Sequence, residues 1–128
     1  MKCVEIMSAP ARTVRAEEDA LFAACLMREH GVGFLAVCDA EGRLVGVVTE
    51  RDLAIRVCAE NEEAKDVSVS EIMTPRAITC RPTHSIGEVK RQMLAHRHSV
   101  LAVADESDRP IGVISLRDIY EAAAATAS

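Results

Sequence analysis

Aromatic side chains are scarce: two phenylalanines, one tyrosine and no tryptophan in 128 residues. Proteins that hold single-stranded nucleic acid stack bases on aromatic faces, and that platform is missing. Positive charge is in deficit too, with 15 Lys and Arg against 20 Asp and Glu for a net charge of −5. A surface that neutralises a nucleic-acid backbone needs the reverse balance, so no nucleic-acid partner is expected. A small anionic ligand held by a few local arginines stays compatible. No stretch approaches the ~18 consecutive apolar residues of a membrane span. The opening Met1-Lys2-Cys3-Val4-Glu5 has no apolar run resembling a signal peptide. We therefore expect a cytoplasmic protein with no membrane partner. The cysteines, at 3, 25, 38, 58 and 80, are odd in number and form no Cys-x-x-Cys pair. Their spacing suggests neither a disulfide framework nor a zinc site. They are expected to be small buried hydrophobes in a reducing compartment; a redox sensor using Cys3 or Cys58 is the minor alternative. No nucleophile–base–acid spacing stands out, so no catalytic residue is assigned.

What the chain does have is a composition of 49% apolar and 27% charged residues, ordinary for a globular domain with a real core, and an internal repeat. Gly46-Val47-Val48-Thr49-Glu50-Arg51-Asp52 returns 66 residues later as Gly112-Val113-Ile114-Ser115-Leu116-Arg117-Asp118. At the same offset Glu5-Ile6-Met7 matches Glu71-Ile72-Met73, Leu35-Ala36-Val37 matches Leu101-Ala102-Val103, and Asp39 and Arg43 match Asp105 and Arg109. Cys38 stands opposite Ala104 and Cys80 opposite Val14. A period this long is no solenoid but one supersecondary unit duplicated and paired with itself.

In the first copy, Val4 to Met7 reads as a helical lead-in and Arg12 to Arg15 as an extended piece. Glu17 to His30 reads as a helix with acidic residues in its first turn and Gly31 as its stop. Phe34 to Cys38 and Leu44 to Val48 are strands around the turn at Asp39 to Arg43. Thr49 opens a second helix running to about Glu60. The second copy repeats the path. Its first helix is capped at Ser85-Ile86-Gly87-Glu88 and buries Ile86, Val89 and Met93. Ser99 to Ala104 and Pro110 to Ile114 are its strands, and Leu116 to about Ala125 its last helix. The expected domains are 1–60, a linker at 61–66, and 67–128. The fold class is α+β (mixed α/β): two β-α-β-β-α units, each too small to be comfortably stable alone, packed sheet to sheet with pseudo-two-fold symmetry.

The conspicuous chemistry sits where a strand delivers the chain to a helix start, twice, with a hydroxyl, a cation and a carboxylate. Unpaired N–H groups at such an end attract anions. The plainer explanation of Thr49-x-x-Asp52 is an N-cap with an acidic residue at N3, and the two roles are compatible. His96-Arg97-His98 places its imidazoles two apart, which does not converge on a metal. Gly31-Val32-Gly33 follows a helix and precedes a strand, the reverse of a dinucleotide fingerprint.

The ordered signatures Glu-Ile-Met-Ser/Thr, Leu-Ala-Val-x-Asp and Gly-Val-Val/Ile-Thr/Ser-x-Arg-Asp, twice at constant spacing, resemble a tandem pair of CBS domains (a Bateman module) over about Val4 to Ala123. That resemblance implies a regulatory module, not an enzyme, that binds an adenine nucleotide (AMP, ADP or ATP) or a related adenosyl ligand such as S-adenosylmethionine or NAD. It implies that Asp52 and Asp118 accept from ribose hydroxyls, that Thr49 and Ser115 contact phosphate or ribose, and that Arg51 and Arg117 neutralise phosphate. By the same resemblance one site combines Ile114 to Asp118 with Arg12, Thr13 and the strand after Gly33. The other combines Val48 to Asp52 with Ile78, Thr79, His98 and Ser99, and Arg97 and Arg76 face phosphate. Two departures are evident: Ala36 and Ala102 stand where the family commonly has Pro, and Gly31 is the counterpart of Arg97. The Asp52 site is accordingly expected to prefer a phosphate tail, and the Asp118 site to stay empty or take another ligand. A homodimer is expected through Leu53, Val57, Leu116, Ile119, Tyr120 and Ala123, together with an unknown regulated protein. The alternative is an interaction scaffold whose pseudo-sites bind nothing.

Overall fold

A computed structural model of the chain describes residues 1–75 and 79–127. The duplicated sequence becomes two sheets of matching register. In the first, β1 (Thr13–Arg15) lies parallel to β2 (Phe34–Cys38), which runs antiparallel to β3 (Leu44–Thr49), which pairs with β4 (Thr74–Pro75). In the second, β5 (Thr79–Cys80) is parallel to β6 (Val100–Ala104), and β6 is antiparallel to β7 (Pro110–Ser115). The parallel pairs are joined through α2 (Ala20–His30) and α5 (Ile86–His96), as a parallel connection requires. The Leu-Ala-Val-x-Asp signature has a local cause. Asp39 Oδ1 accepts from the amides of Glu41 and Arg43, both at 2.9 Å, and Asp105 Oδ1 does the same for Ser107 and Arg109, each carboxylate shaping the hairpin turn.

The helices α2 and α5 are fixed at both ends. Asp19 caps α2 by accepting from the Phe22 amide, and Ser85 caps α5 by accepting from the Glu88 amide. Both stop in left-handed residues, Gly31 at φ 64° and Arg97 at φ 58°. Glycine takes that conformation freely; Arg97 does so with a Cβ. The start of α2 differs from the expected Glu17. Glu17 and Glu18 stay in a turn, because the Glu18 carbonyl accepts from the Val69 amide at 2.8 Å and Asp19 bridges Ser68, so no acidic residue occupies the first helical turn. After Thr49 the chain forms α3 (Glu50–Leu53) and then a wider π-helical turn, Ala54–Cys58, in which the Ala59 amide reaches back to the Ala54 carbonyl. The counterpart in the second copy, α6 (Leu116–Ala127), is α-helical throughout.

The residues cluster into two compact units, and these do not follow the order in which the copies are written. One is Arg12–Ala77; the other combines Met1–Ala11 with Ile78–Ser128. Each copy's lead-in closes the unit formed by the other copy's strands. The lead-in helix α1 (Cys3–Ile6) docks through the Cys3 amide on the His84 carbonyl at 2.8 Å, and its equivalent α4 (Val69–Ile72) docks through Val69 on Glu18. Beyond each helix the backbone pairs with a strand edge, Ser8 with Val113 and Thr74 with Val47. The cores correspond position by position. Val14, Met27, Leu35, Val37 and Val48 fill one, and Cys80, Met93, Leu101, Val103 and Ile114 fill the other. Each such side chain is worth about 1.5–3 kcal/mol in burial.

Three of the five cysteines, 3, 38 and 80, are buried as expected; Cys25 is half-buried and Cys58 is exposed, so the buried reading fails for Cys58. Among the positions expected at a dimer surface, Val57 and Ile119 are each 3% exposed and belong to the cores of their own units, which removes them from that role. Leu53 and Leu116 also pack partly on those cores.

The crossing lead-ins explain the glycine that opens the repeated motif. A Cβ on Gly46 would stand 2.7 Å from the Thr74 carbonyl oxygen, and one on Gly112 would stand 2.6 Å from Met7 Sδ and 2.9 Å from the Ser8 carbonyl oxygen. Gly46→Ala and Gly112→Ala are each expected to cost about 1–3 kcal/mol through forced displacement of a packed segment, measured by urea unfolding. A change below about 0.5 kcal/mol, the size of a neutral surface substitution, would contradict that packing.

Candidate functional site

β1 and β2 start, and β3 ends, at the same end of the first sheet, because the first pair is parallel and the second antiparallel. That end gathers Arg12, Thr13, Gly33, Thr49, Arg51 and Asp52 within one unit. The corresponding end of the second sheet gathers Thr79, His98, Ser99, Ser115, Arg117 and Asp118. Val48 and Ile114 lie one residue further in and are fully buried, so their side chains support the ends as core. Arg76 and Ile78 lie outside the described residues.

The strand-to-helix turn is held reciprocally. The Thr49 amide donates to Asp52 Oδ2 at 2.9 Å, the Thr49 hydroxyl donates to the same oxygen at 3.1 Å, and the Asp52 amide donates back to Thr49 Oγ1 at 3.3 Å. In the second copy the Ser115 amide donates to Asp118 Oδ2 at 2.9 Å and the Asp118 amide to Ser115 Oγ at 3.0 Å. This is a capping box. It pins one carboxylate oxygen and fixes the direction of the other. The helix amides are largely engaged as well. Glu50 N–H donates to the Gly33 carbonyl at 3.0 Å and Leu116 N–H to the Ser99 carbonyl at 2.8 Å, so the first and third amides of each helix are taken. The anion-attracting helix end expected from sequence narrows to the amides of Arg51 and Arg117.

The two ends are unequal. Asp52 is 9% exposed, and the Nε of Arg56 stands 3.7 Å from its Oδ1, close enough for charge compensation and beyond a good hydrogen bond. Ala122 takes that place in the second copy, so no equivalent cation stands on the Asp118 helix. Arg56 was not singled out from sequence; its spacing of four from Asp52 on one helix was the available signal. The arginines of the motif, Arg51 and Arg117, are both exposed. Arg117, with its side chain 86% exposed, pairs with Glu121 at 2.9 Å on its own helix. Arg12, Thr13, Arg97 and His98 are exposed and Thr79 is half-buried.

A second feature was also not anticipated. A cleft of about 480 Å³ lies between α2 and α3, lined among others by Ala24, Arg28, Gly31, Gly33, Glu50 and Leu53. The Glu50 side chain occupies the space above Gly33 that any Cβ would need. Lys90, Arg97 and Ser99 are the bulkier counterparts of Ala24, Gly31 and Gly33, and that contrast was legible. Among the described residues no group of three His, Cys, Asp or Glu could hold a metal ion, and no helix is long and apolar enough to cross a membrane.

The comparisons with known proteins agree with the geometry. The sequence model of the CBS domain matches residues 3–58 and again 69–125. A Methanopyrus kandleri protein, MK0525, is 29% identical over 104 residues, which is 81% of this chain and 53% of that relative. In several other curated relatives the matching stretch is only 21% to 29% of the length. A protein with CBS domains from Burkholderia ambifaria MC40-6 superposes with a TM-score of 0.88 at 31% identity, covering 98% of this chain and 95% of that one. The CBS domain pair of protein MJ0100, solved with 5-methylthioadenosine and S-adenosyl-L-methionine, gives a TM-score of 0.88 at 26% identity, covering 98% of each chain. Two capped strand-to-helix turns on two matching sheets, in a chain that the domain model matches twice, make this protein a member of the CBS domain family, with two CBS domains in tandem.

Proposed function

We propose that the chain is a regulatory module that binds an adenine nucleotide or a related adenosyl ligand through its capped carboxylates and passes occupancy to a partner protein. The observation that carries the reading is the pinned carboxylate. With Oδ2 engaged by the cap, Oδ1 of Asp52 or Asp118 is presented in a fixed direction, as a ribose diol needs, at no ordering cost when the ligand arrives. The solved CBS pair bound to 5-methylthioadenosine and S-adenosyl-L-methionine supports the class of ligand. Thr49 and Ser115 orient the carboxylates and stand nearest to the ribose. Val48 and Ile114 back the turns. Arg12, Thr13, Thr79, Arg97 and His98 supply the surrounding polar rim and the positive charge for a phosphate tail. Arg117 reaches phosphate only by breaking its pair with Glu121, and Arg51 reaches it from an exposed position. Arg56 partly compensates Asp52, so Asp118 is the stronger diol acceptor, and Asp52 with its cation suits the more anionic ligand.

In a thermal-shift panel with AMP, ADP, ATP, S-adenosylmethionine and NAD, one ligand at about 100-fold its Kd is expected to add roughly 2.7 kcal/mol of stability. That gain should fall by at least half in Asp118→Asn or Asp52→Asn, whichever carboxylate holds the ligand. No shift with any of the five would favour a scaffold whose turns serve only as helix caps.

A homodimer through the helices belongs to the same reading. Leu94 on α5 and Tyr120 on α6 are 56% and 50% exposed, and the Lys90 ammonium lies 4.9 Å from the Tyr120 ring centroid. Together with the exposed Ala123 they make an apolar strip on one unit. Sedimentation equilibrium is expected to give twice the 13.8 kDa chain mass, and Leu94→Glu with Tyr120→Glu is expected to return the single-chain mass. A wild-type monomer at high micromolar concentration would contradict the dimer.

A further inference from the structure

Cys3 on α1 and Cys80 on β5 are both fully buried, 77 residues apart in sequence, with their sulfurs 3.6 Å apart. They meet because the lead-in of one copy packs against the strands of the other. At the matching place in the second unit the same positions are Val69 and Val14, members of that unit's core. The duplicated fold brings these two positions together twice, and only one unit has thiols there. A disulfide bond is about 2.05 Å long. Side-chain rotation of two neighbouring cysteines has roughly 1.5 Å to close, within the compass of one packed site.

We propose that Cys3 and Cys80 are an oxidisable thiol pair that a peroxide converts to a reversible disulfide, tying the segment before residue 12 to the sheet on which it packs. The Cys3 thiolate attacks one peroxide oxygen; the O–O bond breaks, leaving Cys3 as a sulfenic acid and releasing hydroxide. The Cys80 sulfur then attacks the Cys3 sulfur. The S–S bond forms as the S–O bond breaks, and the departing hydroxide leaves as water with the Cys80 proton. The two thiols lose two electrons and two protons, and the peroxide becomes two waters. The order of the sulfurs follows from their contact. The Cys80 S–H bonded to Cys3 holds the Cys3 thiol below the usual thiol range, against burial, which raises it. The same bond together with burial pushes the Cys80 thiol far up. Entry of the oxidant requires α1 to lift. That helix is four residues long. The Cys3 amide on the His84 carbonyl, the Val4 amide on the Pro82 carbonyl and the Ile86 amide on the Met1 carbonyl are among the bonds that hold it. So short an element opens at less cost than the unit. The resulting link closes a covalent loop of chain that runs from Cys3 to Cys80.

The test exposes the folded full chain to hydrogen peroxide, alkylates it, digests it without reductant and maps the peptides by mass spectrometry. The expected product is a peptide pair joined through Cys3 and Cys80, lighter by two hydrogens, released by dithiothreitol and formed equally in Cys58→Ser. In Cys80→Ser, which keeps a donor beside Cys3 and removes the resolving sulfur, the expected product is a Cys3 sulfenic acid captured by dimedone. The wild-type map decides the matter if that variant fails to fold. Cys3 and Cys80 both remaining alkylatable thiols after the exposed Cys58 has been oxidised would overturn the proposal, as would a link that forms only in urea-unfolded protein.

Discussion

The hydrogen bond from a strand-end amide to a carboxylate three residues on, Thr49 to Asp52 and Ser115 to Asp118, is the interaction on which most else in this chain depends. It stops a strand and starts a helix in the space of one turn. It aims the helix back over its sheet, so that Leu53 and Val57 in one unit, and Leu116 and Ile119 in the other, reach their cores. Losing such a cap costs about 1 kcal/mol, a modest sum, yet the same bond also leaves one carboxylate oxygen aligned. Structural need and binding potential are therefore carried by the two oxygens of one carboxylate. The motif Gly-Val-Val/Ile-Thr/Ser-x-Arg-Asp is as much a folding instruction as a recognition site.

The second organising constraint is the exchange of lead-ins. Each unit is completed by a segment written beside the other copy, so neither copy as written contains its own closing helix. Gly46 and Gly112 record this exchange, since each lies under a backbone from the distant lead-in. Cys3 and Cys80 record it as well, being neighbours in space only because of it.

Much of this was legible in the sequence because it is local. The strand Phe34–Cys38 and the stop at Gly31 follow from apolar runs and turn chemistry, and the common offset carried the second copy with the first. What could not be read depends on contacts distant in sequence. The start of α2 moved from Glu17 to Ala20 because the Glu18 carbonyl is claimed by Val69. The π turn at Ala54–Cys58 has no counterpart in the other copy, where Glu121 and Ala123 replace Ile55 and Val57. At the site, the hydroxyl–carboxylate pairs were found from spacing alone. The outward course of Arg117 toward Glu121 and the approach of Arg56 to Asp52 do not follow from the motif, because a motif names residues without saying which way they turn.

The central claim is that the oxygen left over by the cap is where an adenosyl ligand is held. The most direct test follows backbone amide resonances of the isotope-labelled chain during titration with AMP and, separately, S-adenosylmethionine. The account predicts saturable shifts concentrated at Ser115 to Asp118, at Thr49 to Asp52, or at both, together with the adjoining strand starts at Gly33 and Ser99. Saturable binding that perturbs other surfaces and leaves both capped turns unmoved would contradict it.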